Sequence, residues 1–285
     1  MGTIEQCRRF FAEYVVRVAG AANERLVEAF SCVARERFVG PGPWQVCVGQ
    51  GYLRTPDDDP RQLYQDILVA IDSGAKLNNG QPTLHACCID AAELSLGETV
   101  IHVGAGSGYY TAILAHMVGP QGEVVAFEVD AALAWRASSI LAACPNVDVR
   151  AASATEAAIP PCDVVYVSAG ITDPPSAWLD ALRIGGRLVF PLTADSSNGL
   201  MLKVTRTGPD RYAARALLHA GFVACVGARR AATSSSLAAA LQCDSIERIR
   251  SLRRNSSPDT EHCGATGNQH ILRAQPSPLR LVPRS

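Results

Sequence analysis

Three glycines spaced two apart, Gly104, Gly106 and Gly108, follow the apolar run Val100–Val103 and lead into an apolar segment that ends near Met117. A buried strand that turns on glycines into a helix offers backbone N–H groups and the positive helix end to a carboxylate or phosphate. The chemistry this favours is the holding of a nucleotide-like cofactor by Gly104, Ala105, Gly106, Ser107, Gly108 and Tyr109, although a plain tight turn has a similar composition. A second apolar run, Val124–Phe127, ends on Glu128, about 20 residues beyond the glycines. A carboxylate there can accept hydrogen bonds from two adjacent ribose hydroxyls. The alternative is that Glu128 and Asp130 only cap the helix starting near Ala131.

The spacing separates two cofactor classes. A dinucleotide loop needs a third small residue where this chain has Tyr109, too large for close helix-to-strand packing. The Gly104, Gly106, Gly108 spacing instead resembles the first motif of S-adenosylmethionine-dependent methyltransferases. Ten cysteines, at 7, 32, 47, 87, 88, 144, 162, 225, 243 and 263, form no C-x-x-C pair and no Cys/His cluster at zinc spacing, so no metal is expected and most read as reduced space-fillers.

The elements that must position these residues follow from the alternation of patterns. With 285 residues, 48% of them hydrophobic, the chain can bury a sizeable core. A net charge of −1 gives no basic field to gather nucleic acid, and no apolar run reaches the ~20 residues a bilayer span needs. The opening residues lack a signal-peptide apolar core, so the expected location is the cytoplasm. Residues 1–95 read as a helical and loop segment facing substrate, with a Pro/Gly/Asp-rich passage from Gly40 to Pro60 expected to be mostly turn and loop. Residues 96–228 alternate strand signals near 99–103, 124–128, 147–150, 163–168 and 187–192 with helical signals near 108–118, 131–143 and 174–183. This predicts an α/β fold with a doubly wound, mostly parallel sheet. Leu200–Arg206 and Phe222–Val226 read as antiparallel strands completing it. A helical extension is expected over 229–254 and a disordered tail over 255–285. Nine basic and four acidic residues leave 229–285 at +5; without interleaved aromatic residues this reads as a solvated surface rather than a nucleic-acid site.

A family resemblance rests on the order of several motifs: Arg25–Phe30, Arg35–Val39, Tyr64–Leu68, the loop before Pro82, Val100–Tyr110, Asp163–Gly170 and Leu182–Pro191. Together, over roughly residues 20–228, these resemble protein-L-isoaspartate O-methyltransferases. The resemblance implies a Rossmann-like class I fold, S-adenosyl-L-methionine as cofactor, and methyl transfer to an aspartyl-type carboxylate of a peptide or protein. It places Gly104, Gly106 and Gly108 at the methionine end of the cofactor, Glu128 at the ribose, and Ser153 with Ala154 at the adenine side. Asn78, Asn79, Gly80, Gln81 and His85 would face the acceptor, with Asn79 and Gln81 in the catalytic role.

Three departures stand against the family pattern. His102 occupies the place of an acidic residue two before the first glycine, and it reads equally as a ligand or as a packed strand residue. Ala152-Ser153-Ala154 stands where Gly-Asp-Gly is common. Asn78-Asn79-Gly80-Gln81-Pro82 replaces a Thr-Ile-Ser loop, so its amides could bind an anion differently or simply form a turn. Two alternatives therefore remain open: a methyltransferase for another acceptor, such as a small molecule or a biosynthetic peptide, and a catalytically silent binding module with the same fold. The sequence does not specify the oligomeric state.

Overall fold

The computed structural model describes residues 2–49, 51–72, 74, 77–194, 198–241, 249–253 and 271–274. The chain divides into two compact units, Met1–Ser168 and Ala169–Ser285. The division falls inside the stretch 96–228 read above as one domain, and the segment 1–95 shares a unit with the glycine loop.

In the first unit, α1 (Ile4–Val18) opens with a capping box between Thr3 and Gln6 and buries Phe11, Ala12, Val15 and Val16. It packs on α2 (Glu24–Cys32), which starts at the Asn23 cap and buries Leu26, Val27, Ala29 and Phe30. The Gly40–Pro60 passage is more regular than expected. It holds an antiparallel hairpin of β1 (Gln45–Val48) and β2 (Gly51–Arg54). Trp44 packs beneath it with Val39, Leu63 and Val69. Helix α3 (Pro82–Ala91) starts on a proline whose missing N–H is no loss at that position.

Four parallel strands follow: β3 (Thr99–Val103), β4 (Glu123–Glu128), β5 (Val147–Ala151) and β6 (Cys162–Val167), with α4 (Tyr109–Val118) and α5 (Ala131–Leu141) in the first two connections. Their order is β6-β3-β4-β5, with Val100–Val103 in register with Val124–Phe127 on one side and Val164–Val167 on the other. Strand order therefore reverses beside β3, and the crevice beyond the carboxyl end of such a strand is where open α/β sheets place ligands. Strands buried on both faces explain why Val124–Phe127 is an unbroken apolar run rather than an alternating one, and why Val100–Val103 is apolar apart from the buried His102.

The second unit holds α6 (Ser176–Ala181) and antiparallel strands β7 (Leu182–Thr193), β8 (Asn198–Gly208) and β9 (Arg211–Gly221), then α7 (Ala231–Leu241), β10 (Ile249–Arg253) and β11 (Ile271–Ala274). Two expectations are corrected here. The last strand of the β7-β8-β9 meander is Arg211–Gly221, not Phe222–Val226; the latter contributes only an isolated parallel bridge between Ala224 and Gly170. The register explains this, because the turn at Pro209-Asp210 pairs Gly208 directly with Arg211. The helical extension ends at Leu241. Residues 249–253, read as part of the helical extension, are a strand paired with β9, and residues 271–274, read as part of the disordered tail, are a strand paired with β10. The remainder of 255–285 lies outside the described residues. Among the described residues, no helix is long and apolar enough to cross a membrane.

Candidate active site

The glycine loop is a closed turn whose N–H groups are largely committed. Gly104, Gly106 and Gly108 all sit at positive φ, +76°, +55° and +93°. The N–H groups of Gly104 and Ala105 donate to the Phe127 carbonyl at 2.9 and 3.1 Å, and that of Gly108 to the Ala105 carbonyl at 2.9 Å. Gly106 donates to Glu128 Oε2 at 2.7 Å, while Glu128 Oε1 accepts from the Asp130 N–H at 3.0 Å. The loop is thus shaped by the protein itself, contrary to the expectation of bare donors. Glu128 fixes it from the end of β4, and each carboxylate oxygen keeps a lone pair for a further donor. Capping of α5 falls to Asp130, which accepts from Ala132 and Leu133 at 2.9 and 3.0 Å.

The glycines do different work. A Cβ on Gly108 would lie 2.9 Å from Leu141 Cδ1 and 3.1 Å from Ala137 Cβ, so this glycine lets α4 approach α5. Among the described residues, a Cβ on Gly106 would meet Ile71 Cδ1 alone, at 3.4 Å, an ordinary contact, so this glycine is not required by packing on them. The Tyr109 ring is buried edge-on against Phe30 of α2 and against Phe38, centroids 6.3 and 5.6 Å away, so its side chain serves packing. Ser107, Ala105 and Ala154 are also buried. Ser153 opens a turn, its hydroxyl 2.8 Å from that of Thr155.

His102 is a packed strand residue. Its Nδ1 lies 2.8 Å from Thr111 Oγ1 and its Nε2 3.0 Å from Ser168 Oγ, and burial pushes its pKa down to about 3. It is neutral at physiological pH and cannot stand in for an acidic residue.

The acceptor-side residues come together around α3, but most of their polar atoms face inward. Asn78 Oδ1 accepts from the Gly80 N–H at 3.0 Å, a local turn bond. Asn79 is buried; its Oδ1 accepts from Arg35 Nη2 at 3.0 Å and from the Val69 N–H at 3.2 Å. Its Nδ2 has no hydrogen-bond partner among the described residues. Gln81 Nε2 donates to Asp66 Oδ2 at 2.9 Å, and Asp66 Oδ1 accepts from the Thr83 N–H at 2.8 Å, so Asp66 both orients Gln81 and caps α3. Asn78 Oδ1 and one hydrogen of the Gln81 amide are therefore engaged within the protein. His85 is buried with Nδ1 2.8 Å from the Tyr166 hydroxyl and its ring stacked 3.6 Å from that of Tyr110, whose hydroxyl donates to the Gly80 carbonyl at 3.2 Å. Burial, with the nearby His102 and Arg35, pushes the His85 pKa down to about 3.

Arg35, Asp66, Tyr110 and Tyr166 are residues that sequence reasoning did not place here. Each lies inside one of the motifs that carry the family resemblance, which is the signal the sequence held, but none of these residue types reveals a partner 15 or more positions away.

Gly80 is the tightest position in the loop. At φ +75°, a Cβ would come 2.4 Å from His85 Nε2 and 3.1 Å from Tyr110 Cε2. Gly80→Ser is therefore expected to destabilise the protein by about 2–4 kcal/mol, combining backbone strain with overpacking. In a double-mutant cycle read by urea unfolding, His85→Ala relieves the overlap, so Gly80→Ser costs less in that background. Strictly additive effects would show that the two residues do not collide.

Residues 52–231 match the family model described as Protein-L-isoaspartate(D-aspartate) O-methyltransferase (PCMT). A relative named protein-L-isoaspartate O-methyltransferase from Ignicoccus hospitalis is 30% identical over 224 residues, covering 77% of this chain and 97% of its own. One of the same name from Syntrophotalea carbinolica is 31% identical over 224 residues, covering 77% and 93%. A solved protein-L-isoaspartate O-methyltransferase superposes with a TM-score of 0.65 at 21% identity, over 81% of this chain and 69% of that one. A Plasmodium falciparum structure of the same enzyme class, in complex with S-adenosyl-L-homocysteine, gives 0.60 at 18% identity, over 76% and 97%.

Proposed function

This chain belongs to the protein-L-isoaspartate(D-aspartate) O-methyltransferase family, and on that premise we propose that it methylates the carboxylate of L-isoaspartyl residues in proteins or peptides. When bound, S-adenosyl-L-methionine supplies an electrophilic methyl group. The observation that carries the assignment of its site is the pairing of Glu128 with Gly106: a carboxylate at the end of β4 braces a loop glycine at which, among the described residues, a Cβ would make only ordinary contact, with Ile71 Cδ1 at 3.4 Å. The spare lone pairs of Glu128 suit vicinal ribose hydroxyls, and the Gly106 backbone suits close contact with the methionine portion. Ser153 and Ala154, beyond β5, are assigned to the adenine side.

The acceptor makes modest demands on side chains. A carboxylate is ionised near pH 7 and needs no general base, so this chain's contribution is alignment. Asn79 Nδ2 is the donor we assign to the acceptor carboxylate, because it is buried and its neighbouring Oδ1 is already held by Arg35 and Val69. Gln81, oriented by Asp66, and Asn78 and Gly80, shaping the turn, complete the loop, and His85 supports it from below as an uncharged ring.

The test is transfer of labelled methyl from S-adenosylmethionine to an isoaspartyl peptide and to its aspartyl twin, read as base-labile label released as methanol. Label on the isoaspartyl peptide alone supports the reading. Label on neither, with heat stabilisation by S-adenosylhomocysteine intact, overturns the acceptor and leaves the cofactor assignment standing. For that assignment, Glu128→Gln is expected to weaken S-adenosylhomocysteine binding about 10- to 100-fold by calorimetry, the worth of a charge-assisted hydrogen bond. An unchanged affinity would remove Glu128 from the cofactor site.

A further inference from the structure

Helix α4 is buried along its whole length except at one residue, His116. Opposite it, α2 presents Glu28 and Cys32, one helical turn apart on the same face. A ligand atom from each of these three side chains lies within 4.8 Å of the other two, with Glu28 and Cys32 exposed and His116 half-buried. None of the three makes a hydrogen bond or ion pair with another described side chain. From this cluster we propose that Glu28, Cys32 and His116 form a zinc site that ties α2 to α4.

The donor set decides the metal class. A thiolate, an imidazole and a carboxylate are the three donors that zinc takes in proteins, whereas calcium and magnesium prefer oxygen alone. Around a tetrahedral ion with bonds of about 2.0–2.3 Å, neighbouring ligand atoms stand about 3–4 Å apart. The observed spread of up to 4.8 Å exceeds that by about 1 Å, a gap of the size that side-chain rotation covers. The cluster supplies three ligands and opens to solvent, so water fills the fourth position. As the S–Zn bond forms, the Cys32 proton passes to solvent.

The helices that carry the ligands are already fixed. Arg25, on α2, donates from Nη1 to the carbonyl of Met117, the residue after His116, at 3.0 Å, and from Nη2 to the Leu94 carbonyl at 2.6 Å. Phe30, between Glu28 and Cys32, meets Tyr109 edge-on at 6.3 Å. The ion thus meets ligands already brought together, without the ordering that a flexible site requires. Because α4 starts directly after its cap residue Gly108, bound zinc would brace the helix that leaves the glycine loop. The sequence hid this site because its three ligands come from helices some 80 positions apart in the chain.

Other cysteines, and the run Glu261-His262-Cys263 outside the described residues, offer similar donors, so the experiment must resolve Cys32 itself. The full chain is alkylated with N-ethylmaleimide with and without Zn²⁺, and each cysteine-containing peptide is followed by mass spectrometry. At free Zn²⁺ about 100 times the dissociation constant, Cys32 alkylation is expected to slow about 100-fold, the fraction left metal-free being about 1%. His116→Ala, or Glu28→Gln if that variant fails to fold, is expected to raise the Zn²⁺ concentration needed for protection at least about tenfold. Cys32 alkylation that ignores Zn²⁺, or protection that keeps its midpoint in these variants, overturns the proposal.

Discussion

Replacing Arg35 by methionine is expected to cost about 3–5 kcal/mol of stability, a large share of the 5–15 kcal/mol typical of a folded domain. The side chain is fully buried. Nη1 donates to the carbonyls of Leu63 and Gln65 at 2.7 and 3.0 Å, and Nη2 to the Ile67 carbonyl at 2.6 Å and to Asn79 Oδ1 at 3.0 Å. The guanidinium also lies 5.9 and 6.0 Å from the ring centres of Phe11 and Tyr109. No carboxylate forms an ion pair with it among the described residues, so carbonyl dipoles and aromatic faces offset its desolvation. Methionine fills similar space but strands three carbonyls in an apolar setting at about 1–3 kcal/mol each, less whatever relaxation recovers. Arg35→Lys is expected to lose nearly as much, since an ammonium has three donors and no planar fork to span four acceptors. Urea unfolding checks both variants; a loss below about 1 kcal/mol would mean that water or a rearranged loop satisfies those carbonyls. Because the same guanidinium holds Asn79, the surviving Arg35→Lys enzyme is also expected to show a raised KM for acceptor peptide with a smaller change in kcat.

That arginine marks the boundary of what could be read from the chain. The parallel core was legible because strands buried on both faces need predominantly apolar residues, and Val124–Phe127, Val164–Val167 and, apart from His102, Val100–Val103 meet that need. The glycine loop was legible in its spacing. Its division of labour was not: whether a glycine serves packing or a ligand depends on what stands opposite, and Ala137 and Leu141 face Gly108 while Ile71 alone of the described residues comes near Gly106. Asn78, Asn79 and Gln81 posed the same problem. Amides signal hydrogen bonding without saying to whom: Asp66 engages Gln81 Nε2, and Arg35 holds Asn79 by its Oδ1 and leaves Nδ2 as the donor. The hairpin at Gln45–Arg54 and the strands beyond Leu241 escaped notice for a related reason. Short strands set among prolines, glycines and charges carry little periodicity, and partners from elsewhere in the chain stabilise them.

Acidification is expected to weaken the protein through its two buried histidines. His85 and His102 flank Tyr166, their ring centres 6.0 and 5.7 Å from its own, and both are pushed down to about 3, chiefly by burial. In the unfolded chain each would titrate near 6.5. Between pH 6.5 and 3 the unfolded state therefore binds more protons than the folded one, and stability falls with pH across that window while remaining full above it. At pH 5 each histidine costs about 2 kcal/mol, hence about 4 kcal/mol together. Loss of hydrogen bonds is not the cause. The hydroxyls of Thr111, Ser168 and Tyr166 can turn to accept from a protonated ring, but nothing replaces the water that the cation gives up. Asp173 works in the opposite direction, since burial raises it to about 6 and protonation on the way to pH 5 favours the fold. The contribution of the histidines is isolated by comparing denaturant unfolding at pH 7 and pH 5 in the parent and in His85→Asn and His102→Asn, where Asp173 is common to all three. Each variant, whatever its stability at pH 7, is expected to lose about 2 kcal/mol less than the parent on acidification; equal losses would show that neither histidine resists protonation in the folded state.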